Sequence, residues 1–209
     1  MVMLNLLAKP AKNKLMKILI KTFYLTSFLI VSCSSAQISP TYLKNYECIE
    51  TYLKLKGINT IEPDILVHEK RSNLYTLRIF NGDNGILHGD ENYTPKTYNK
   101  EHWEKLYKTY SNDTIVKYWK TSDFPNIDFI LGSEREARRG SFLDMYTYTT
   151  KDVICLSEPM YYIDDKHVMF FYSKTAKGLY GYGEKVVIMK KENGKWIVLE
   201  EIPDYLTPM

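Results

Sequence analysis

Residues 184–202 read EKVVIMKKENGKWIVLEEI, two apolar runs joined by the dipeptide Asn-Gly at 193–194. Asn-Gly is the strongest short hairpin signal, because both residues tolerate the positive φ of a type I′ turn. The runs 153–162 and 167–173 lie upstream and are rich in β-branched and aromatic residues, which favour strands. Pro159 interrupts the first of these runs and predicts an edge position or a bulge. The C-terminal third therefore predicts four consecutive antiparallel strands.

The N-terminal half supplies the predicted helices. Ser39-Pro40 combines a good N-cap residue with proline at the first helical position. The residues that follow recur on one helical face until Gly57: Tyr42, Tyr46, Ile49 and Leu53. Residues 99–110 form a second predicted helix with Asn99 as its N-cap.

Shorter strands are predicted at 65–68, 74–80, 114–120 and 127–131, where apolar and aromatic residues cluster. Together these elements predict an α+β fold. We expect N-terminal amphipathic helices to pack on an antiparallel, hairpin-rich sheet that is formed largely by the C-terminal half of the chain.

The first 32 residues resemble an export signal. Residues 1–32 hold five lysines and no acidic residue, and 22–32 read TFYLTSFLIVS. This apolar run is too short to span a bilayer, which needs about 20 residues. A basic start followed by a short apolar run is typical of a secretory signal peptide, although a buried core helix is the alternative. Met16 offers a second start, which would make 1–15 an upstream extension.

The end of this run, Ile30-Val31-Ser32-Cys33, resembles a bacterial lipobox. The resemblance implies that Cys33 becomes the acylated N-terminus, followed by a tether over 33–38 and a single domain over 39–209. Ser34 after the cysteine implies sorting to the outer membrane, facing the periplasm. Cleavage after Ala36 is the alternative, and it would discard Cys33 and release a secreted or periplasmic soluble protein.

The charge balance argues against nucleic acid as a partner. The whole chain carries 28 Lys+Arg and 25 Asp+Glu, a net charge of +3. Removing residues 1–32 leaves 23 basic residues against 25 acidic ones, a net charge of −2. The mature domain therefore has no electrostatic basis for binding nucleic acid. Apolar residues at 44% and charged residues at 25% also exclude a disordered or low-complexity chain.

If Cys33 is acylated, Cys48 and Cys155 remain as an even pair in an oxidising compartment. A disulfide between them would close a loop of more than 100 residues and contribute about 4–5 kcal/mol in the chain-entropy model. The alternative is two buried thiols too far apart to join, and the sequence leaves both open. Neither cysteine has a histidine or another cysteine at ligand spacing, so we expect no metal or nucleophilic role.

Two loops contain candidate ligand-contact residues. Residues 81–91 read NGDNGILHGDE, and the side chains suited to ligate a cation or act as a base are Asp83, His88, Asp90 and Glu91. The EF-hand register fails because the twelfth position from Asn81 is Asn92, and an ordinary turn is the alternative.

The second loop, 178–183, reads GLYGYG but lies between predicted strands, where no helix N-terminus could bind phosphate. We expect Tyr180 and Tyr182 at its tip as ligand contacts. No H-E-x-x-H, G-x-S-x-G or C-x-x-C motif occurs, and we expect neither a metal nor a cofactor.

The segment LSEPM (156–160), the strand and Gly-rich loop after it, and NGKW (193–196) resemble a family of uncharacterised bacterial secreted lipoproteins. YWK (118–120) and Asp123-Phe124 fit the same pattern, and the resemblance covers roughly residues 115–200. It implies a C-terminal half of long hairpins and carries no established activity. Family members have two cysteines in the Gly-rich loop, where this chain has Ala176 and Tyr180.

Two functions from different classes follow from these observations. The first is a lipid-anchored cell-envelope protein whose domain is a non-catalytic binding or structural module for an envelope protein or small ligand. The second is a small-ligand-binding or enzymatic domain with a cone-like sheet and an internal pocket. The second would draw on inward-facing polar groups such as Tyr118, Asp123, Tyr161 or His167.

Overall fold

A computed structural model describes residues 40–58, 63–81, 95–133, 151–175 and 183–204, within one compact unit, Pro40–Met209. These residues contain a seven-stranded sheet. Its strands are β1 (Ile65–Val67), β2 (Ile130–Gly132), β3 (Val153–Leu156), β4 (Met160–Tyr161), β5 (His167–Thr175), β6 (Lys185–Glu192) and β7 (Lys195–Pro203). The helices are α1 (Glu47–Leu55), α2 (Asn73–Asn81) and α3 (Lys100–Tyr110), with a 3-10 turn at Thr121–Asp123.

The fold is α+β, as predicted, but the sheet is mixed. The strand order is β2-β1-β3-β5-β6-β7, with β4 pairing beside β5. β1 runs parallel to β2 and β3, whereas the pairs β3–β5, β5–β6 and β6–β7 are antiparallel. Parallel neighbours need a long crossover connection, and the chain between β1 and β2 supplies one that contains α2 and α3. The expectation of an antiparallel, hairpin-rich sheet therefore holds for the C-terminal strands β3 to β7 and not for the pairs that β1 forms.

The C-terminal hairpins form as predicted. Asn193 and Gly194 have φ values of 49° and 79°, which fit a type I′ turn. The run 153–162 divides into β3 and β4 around Pro159, so it forms two short strands rather than the one strand predicted. At this break the Ser157 hydroxyl accepts a hydrogen bond from the Phe171 N–H at 2.9 Å, which keeps a buried backbone donor satisfied.

The sheet is buried on both faces. Alternate residues of β5 enter two separate clusters: Val168, Phe170 and Tyr172 in the first, Met169 and Phe171 in the second. Since strand side chains alternate between faces, the two clusters lie on opposite sides of the sheet. Helix α1 contributes to the first cluster, and α2 and α3 contribute to the second.

A β-bulge in β7 changes which residues face each cluster. Ile188 pairs with Glu200 and Met189 pairs with Val198, so Leu199 is the extra residue. Before the bulge Trp196 belongs to the first cluster, whereas Ile202 after it belongs to the second. In a regular strand two residues six positions apart would lie on the same face, so the bulge is what allows Trp196 and Ile202 to face different clusters.

The predicted strand at 74–80 is wrong, because this segment is the helix α2. The buried residues of the segment are Asn73, Thr76, Leu77, Ile79 and Phe80, and the spacing 73, 76, 77 and 80 is helical. The Ser72 hydroxyl accepts a hydrogen bond from the Leu74 N–H at 3.3 Å. The apolar and aromatic residues of this short run resemble a strand until Asn73 before it and Thr76 within it are found to be buried.

Other predicted boundaries shift. Helix α1 begins at Glu47 rather than at Pro40 and ends before Gly57, whose φ of 74° fits the predicted helix end. Helix α3 is confirmed, and the Asn99 side chain accepts a hydrogen bond from the His102 N–H at 3.0 Å. The predicted strand at 114–120 is wrong, since only an isolated bridge forms there, between Glu69 and Tyr118. Within the described ranges, no helix has the length and apolar character needed to cross a membrane.

The structure keeps Cys48 and Cys155 as thiols. Cys48 lies fully buried in the first cluster, and Cys155 packs against the second. The sheet therefore separates the two side chains. Of the two arrangements that the sequence leaves open, the structure has the one without a disulfide.

We expect dithiothreitol to leave the melting temperature unchanged, because there is no bridge to reduce. In the native protein a thiol reagent should leave Cys48 unmodified, since burial raises its pKa to about 12 and the thiolate is the reactive form. Peptide mass spectrometry before and after denaturation measures this difference. A melting temperature that falls on reduction would contradict the absence of a disulfide between Cys48 and Cys155. Modification of Cys48 in the native protein would contradict its burial.

Candidate binding cleft

A small polar cleft lies between the connection from β1 to α2 and the extended segment after α3. Its volume is about 80 Å³. The two walls are held together by backbone hydrogen bonds from Lys70 N to Lys117 O at 2.9 Å and from Trp119 N to His68 O at 2.8 Å. The lining residues are Glu69, Lys70, Arg71, Ser72, Asn73, Asp113, Thr114, Ile115, Val116, Lys117 and Glu158.

One side of the cleft is organised by Tyr42, Asp113 and Lys117, here called the outer triad. The Tyr42 hydroxyl donates to Asp113, and Lys117 Nζ donates to the same carboxylate at 2.6 Å. Lys117 Nζ also lies 3.5 Å from the centroid of the Tyr42 ring. Each group therefore fixes the other two.

Protonation in the outer triad follows from these contacts. Burial, and then the neighbouring Asp113, raise the pKa of Tyr42 well above its ordinary value. Burial alone would raise the pKa of Asp113, but the hydrogen bonds from Lys117 and Tyr42 outweigh it and hold the pKa low. At neutral pH the triad therefore consists of a neutral phenol and a carboxylate paired with an ammonium group.

A second group, the inner triad, repeats this arrangement with Tyr46, Glu158 and Lys70. The Tyr46 hydroxyl donates to Glu158 Oε1 at 2.7 Å, and Lys70 Nζ donates to Glu158 Oε2 at 2.9 Å. Lys70 Nζ also lies 4.0 Å from the centroid of the Trp119 ring. The side chains of Lys70 and Glu158 are each only 8% exposed, so this is a buried ion pair. Burial and then Glu158 raise the pKa of Tyr46.

Asn73 connects the outer triad to the cleft. Its Nδ2 donates to the Tyr42 hydroxyl at 3.0 Å, and the residue is 6% exposed. Its Oδ1 is buried and accepts no hydrogen bond. A buried acceptor without a donor costs free energy, and this one belongs to a residue that lines the cleft.

The arrangement favours binding over proton transfer. The phenols and carboxylates of both triads are committed to one another, and the raised pKa values keep the two phenols protonated at neutral pH. In the part of the chain that the structure describes, no three His, Cys, Asp or Glu residues are placed to hold a metal ion.

The loop residues singled out from the sequence lie outside the described residues: Asp83, His88, Asp90, Glu91, Tyr180 and Tyr182. Cys33 also lies outside them. The residues named for the enzymatic alternative lie apart from the cleft's two triads: the Tyr118 ring packs against the His68 ring at a tilt, with centroids 4.9 Å apart. Asp123 accepts from the Lys120 N–H at 2.9 Å, and Tyr161 pairs with Val168. His167 Nδ1 lies 2.6 Å from Asp164 Oδ1 in the turn before β5.

Sequence reasoning missed every residue of the two triads as a site residue. Tyr42 and Tyr46 were attributed to a helix face because they are four residues apart. Lys70 and Asp113 are ordinary surface residue types with no motif spacing, and the resemblance that includes Glu158 implies no role for it. The available sequence signal near the cleft is the dipeptide Ser72-Asn73, which can begin a helix and whose two residues line the cleft.

Comparison with known proteins does not assign a function to this cleft. No family model, curated protein or solved structure matches the chain. The cleft must therefore be interpreted from its own chemistry.

We expect Lys70→Met to lower the free energy of unfolding by about 3–5 kcal/mol, because it leaves Glu158 buried without its cation. The double variant Lys70→Met/Glu158→Leu should lose less than the sum of the two single losses. Lys100→Met is the matched control: its partner Glu104 lies 4.0 Å away and both side chains are exposed, so the loss should be below about 0.5 kcal/mol. Urea unfolding measures the free energy of unfolding of these three variants and of Glu158→Leu alone. Equal losses for Lys70→Met and Lys100→Met would contradict the prediction.

Proposed function

We propose that this protein is a lipid-anchored cell-envelope protein, attached through Cys33, whose folded domain is a non-catalytic binding module. The cleft between the two wall segments is its binding site. The observation that carries the proposal is the open polar cleft itself, whose walls are fixed by backbone hydrogen bonds and whose lining exposes the apolar side chains of Ile115 and Val116.

The architecture supports a rigid scaffold with recognition outside the sheet. In β5 and β6, buried side chains occupy both faces of the sheet: Val168, Met169, Phe170 and Phe171 in β5, and Val186, Val187, Ile188 and Met189 in β6. A cone-like sheet with an internal pocket would need one of these faces open. This packing favours the binding module over the alternative of an enzyme with a pocket inside the sheet.

The anchor is tested by metabolic labelling with radioactive palmitate in a bacterial host. We expect the wild-type chain to be labelled and to fractionate with membranes, and Cys33→Ala to be neither labelled nor membrane-bound. Ser34→Ala is the control and should remain labelled. An unlabelled wild-type protein whose N-terminus is Gln37 would contradict lipidation and support cleavage after Ala36.

The binding role is tested with a low-molecular-mass extract of the cell envelope. A ligand at about 100 times its Kd adds about 2.7 kcal/mol of stability, so the extract should raise the wild-type melting temperature by about 5 °C or more. Val116→Trp, at a cleft residue 54% exposed, should fill the cleft and abolish the rise.

Leu55→Trp is the matched control, since Leu55 is 65% exposed at the end of α1 and does not line the cleft. Its melting temperature should rise with the extract as in the wild type. An extract that stabilises none of the three proteins, or stabilises Val116→Trp equally, would contradict binding in the cleft.

A further inference from the structure

An apolar surface lies in the extended segment after α3. Three large side chains are exposed there within four residues: Ile115 at 77%, Val116 at 54% and Tyr118 at 52%. Single exposed apolar side chains are ordinary on protein surfaces, whereas a cluster marks a contact with a protein or a membrane. These three residues are here called the apolar ridge.

The ridge is fixed to the body of the domain. The Lys70 N–H donates to the carbonyl oxygen of Lys117 at 2.9 Å. The Trp119 N–H donates to the carbonyl oxygen of His68 at 2.8 Å. These two hydrogen bonds flank Tyr118, so the backbone holds the ridge out in water. Covering this apolar surface would lower the free energy of the system.

The folded domain begins beside the ridge. The Tyr42 hydroxyl donates to Asp113, and the centroid of the Tyr42 ring lies 3.5 Å from Lys117 Nζ. Ile115 and Val116 lie in the chain between the two residues that hold Tyr42 in this way. The first residues of the domain and the ridge therefore lie together.

A lipid anchor at Cys33, on which this step rests, would bring the ridge to the bilayer. Pro40 follows Cys33 by seven positions, and an extended chain of that length reaches at most about 25 Å. A domain of the size of Pro40–Met209 has a radius of gyration of about 15 Å and so a diameter of about 40 Å. Because the tether is shorter than the domain is wide, the surface around Tyr42 faces the membrane and the opposite surface does not.

The chemistry of the ridge suits a lipid interface. Ile115 and Val116 supply apolar surface for the boundary between headgroups and acyl chains. Tyr118 combines an aromatic ring with a hydroxyl, and such side chains are enriched where membrane meets water. Residues 114–120 read TIVKYWK and contain no acidic side chain that would repel anionic headgroups.

We infer that the apolar ridge contacts the lipid bilayer when the protein is anchored through Cys33. Ile115 and Val116 lie at the boundary between headgroups and acyl chains, and Tyr118 lies among the headgroups. The contact orients the domain and does not anchor it, because acyl chains bury far more apolar surface than three side chains. Since Ile115 and Val116 also line the cleft, the mouth of the cleft lies beside the bilayer.

The test uses the acylated wild-type protein in phosphatidylcholine nanodiscs, with and without phosphatidylcholine that carries a nitroxide on its acyl chain. The nitroxide broadens the NMR signals of nuclei close to it. We expect the backbone signals of 114–118 to lose most of their intensity, and those of 53–57, at the end of α1, to lose little. Equal losses in the two segments would show a domain without a preferred orientation and would overturn the inference.

A pair of variants locates the contact. Ile115→Glu places a carboxylate on the ridge and should reduce the loss at 114–118 to the level seen at 53–57. Leu55→Glu is the matched control, since Leu55 is 65% exposed at the end of α1, and it should keep the wild-type losses. Both variants should keep the wild-type melting temperature, because both side chains are exposed. A selective loss at 114–118 that survives Ile115→Glu would overturn the inference.

A second copy of the chain is the other occupant that the experiments separate. Cys33→Ala protein lacks the anchor and should sediment as a monomer at all concentrations. A dimer that dissociates when Ile115→Glu is added to Cys33→Ala would assign the ridge to contact between copies and overturn the inference.

The anchor and the ridge contact fail differently. A wild-type chain that palmitate does not label overturns both, because the ridge then has no tether to the bilayer. A labelled chain with equal signal losses at 114–118 and 53–57 leaves the anchor intact and overturns the ridge contact alone. Stabilisation by the envelope extract tests the cleft and depends on neither.

Discussion

The structure depends on covering both faces of the β5–β6 strand pair. Their adjacent residues Met169 and Phe170 are both fully buried, as are Val187 and Ile188, so neither face can remain in water without losing the main apolar contribution to stability. One helix covers the first face, and two helices cover the second. A chain of this length can supply both layers only by passing from one side of the sheet to the other.

The cleft lies where these crossings occur. Tyr42 packs against the second cluster and Tyr46 against the first, four residues later. The chain after α3 makes the same change, since Tyr110 belongs to the second cluster and Trp119 to the first. Segments that cross between layers cannot form regular ladders along their length, so their polar groups need side-chain partners. The two triads supply partners there, and this accounts for so many charged groups at an otherwise apolar interface.

The sequence specified the local elements well and the long-range ones poorly. The Asn-Gly turn and the cap at Asn99 depend on neighbouring residues alone, and both are confirmed. The parallel pairing of β1 joins segments far apart in the chain, and no short-range pattern encodes it. The sequence did not predict the candidate cleft for the same reason. Asp113 contacts Tyr42 across 71 residues of sequence, and Glu158 contacts Tyr46 across 112. The mistaken strand at α2 is different, because its helical period was present and becomes evident only when Asn73 and Thr76 are counted as buried.

The bulge in β7 frees one position of the strand from the alternation that orients its other residues. Glu200 accepts hydrogen bonds from the N–H groups of Lys96 and Thr97, just before α3, whereas Glu201 accepts from the Tyr52 hydroxyl of α1. Leu199 is the extra residue that the ladder leaves unpaired between Val198 and Glu200. Its side chain is 41% exposed, so natural variation at this position has wide freedom in the amino acid used. A single-codon deletion of Leu199 would make Val198 and Glu200 consecutive residues of a regular ladder, so both carboxylates and Ile202 would keep their layers. Evolution of this strand should therefore accept many substitutions at position 199 and also the loss of this residue.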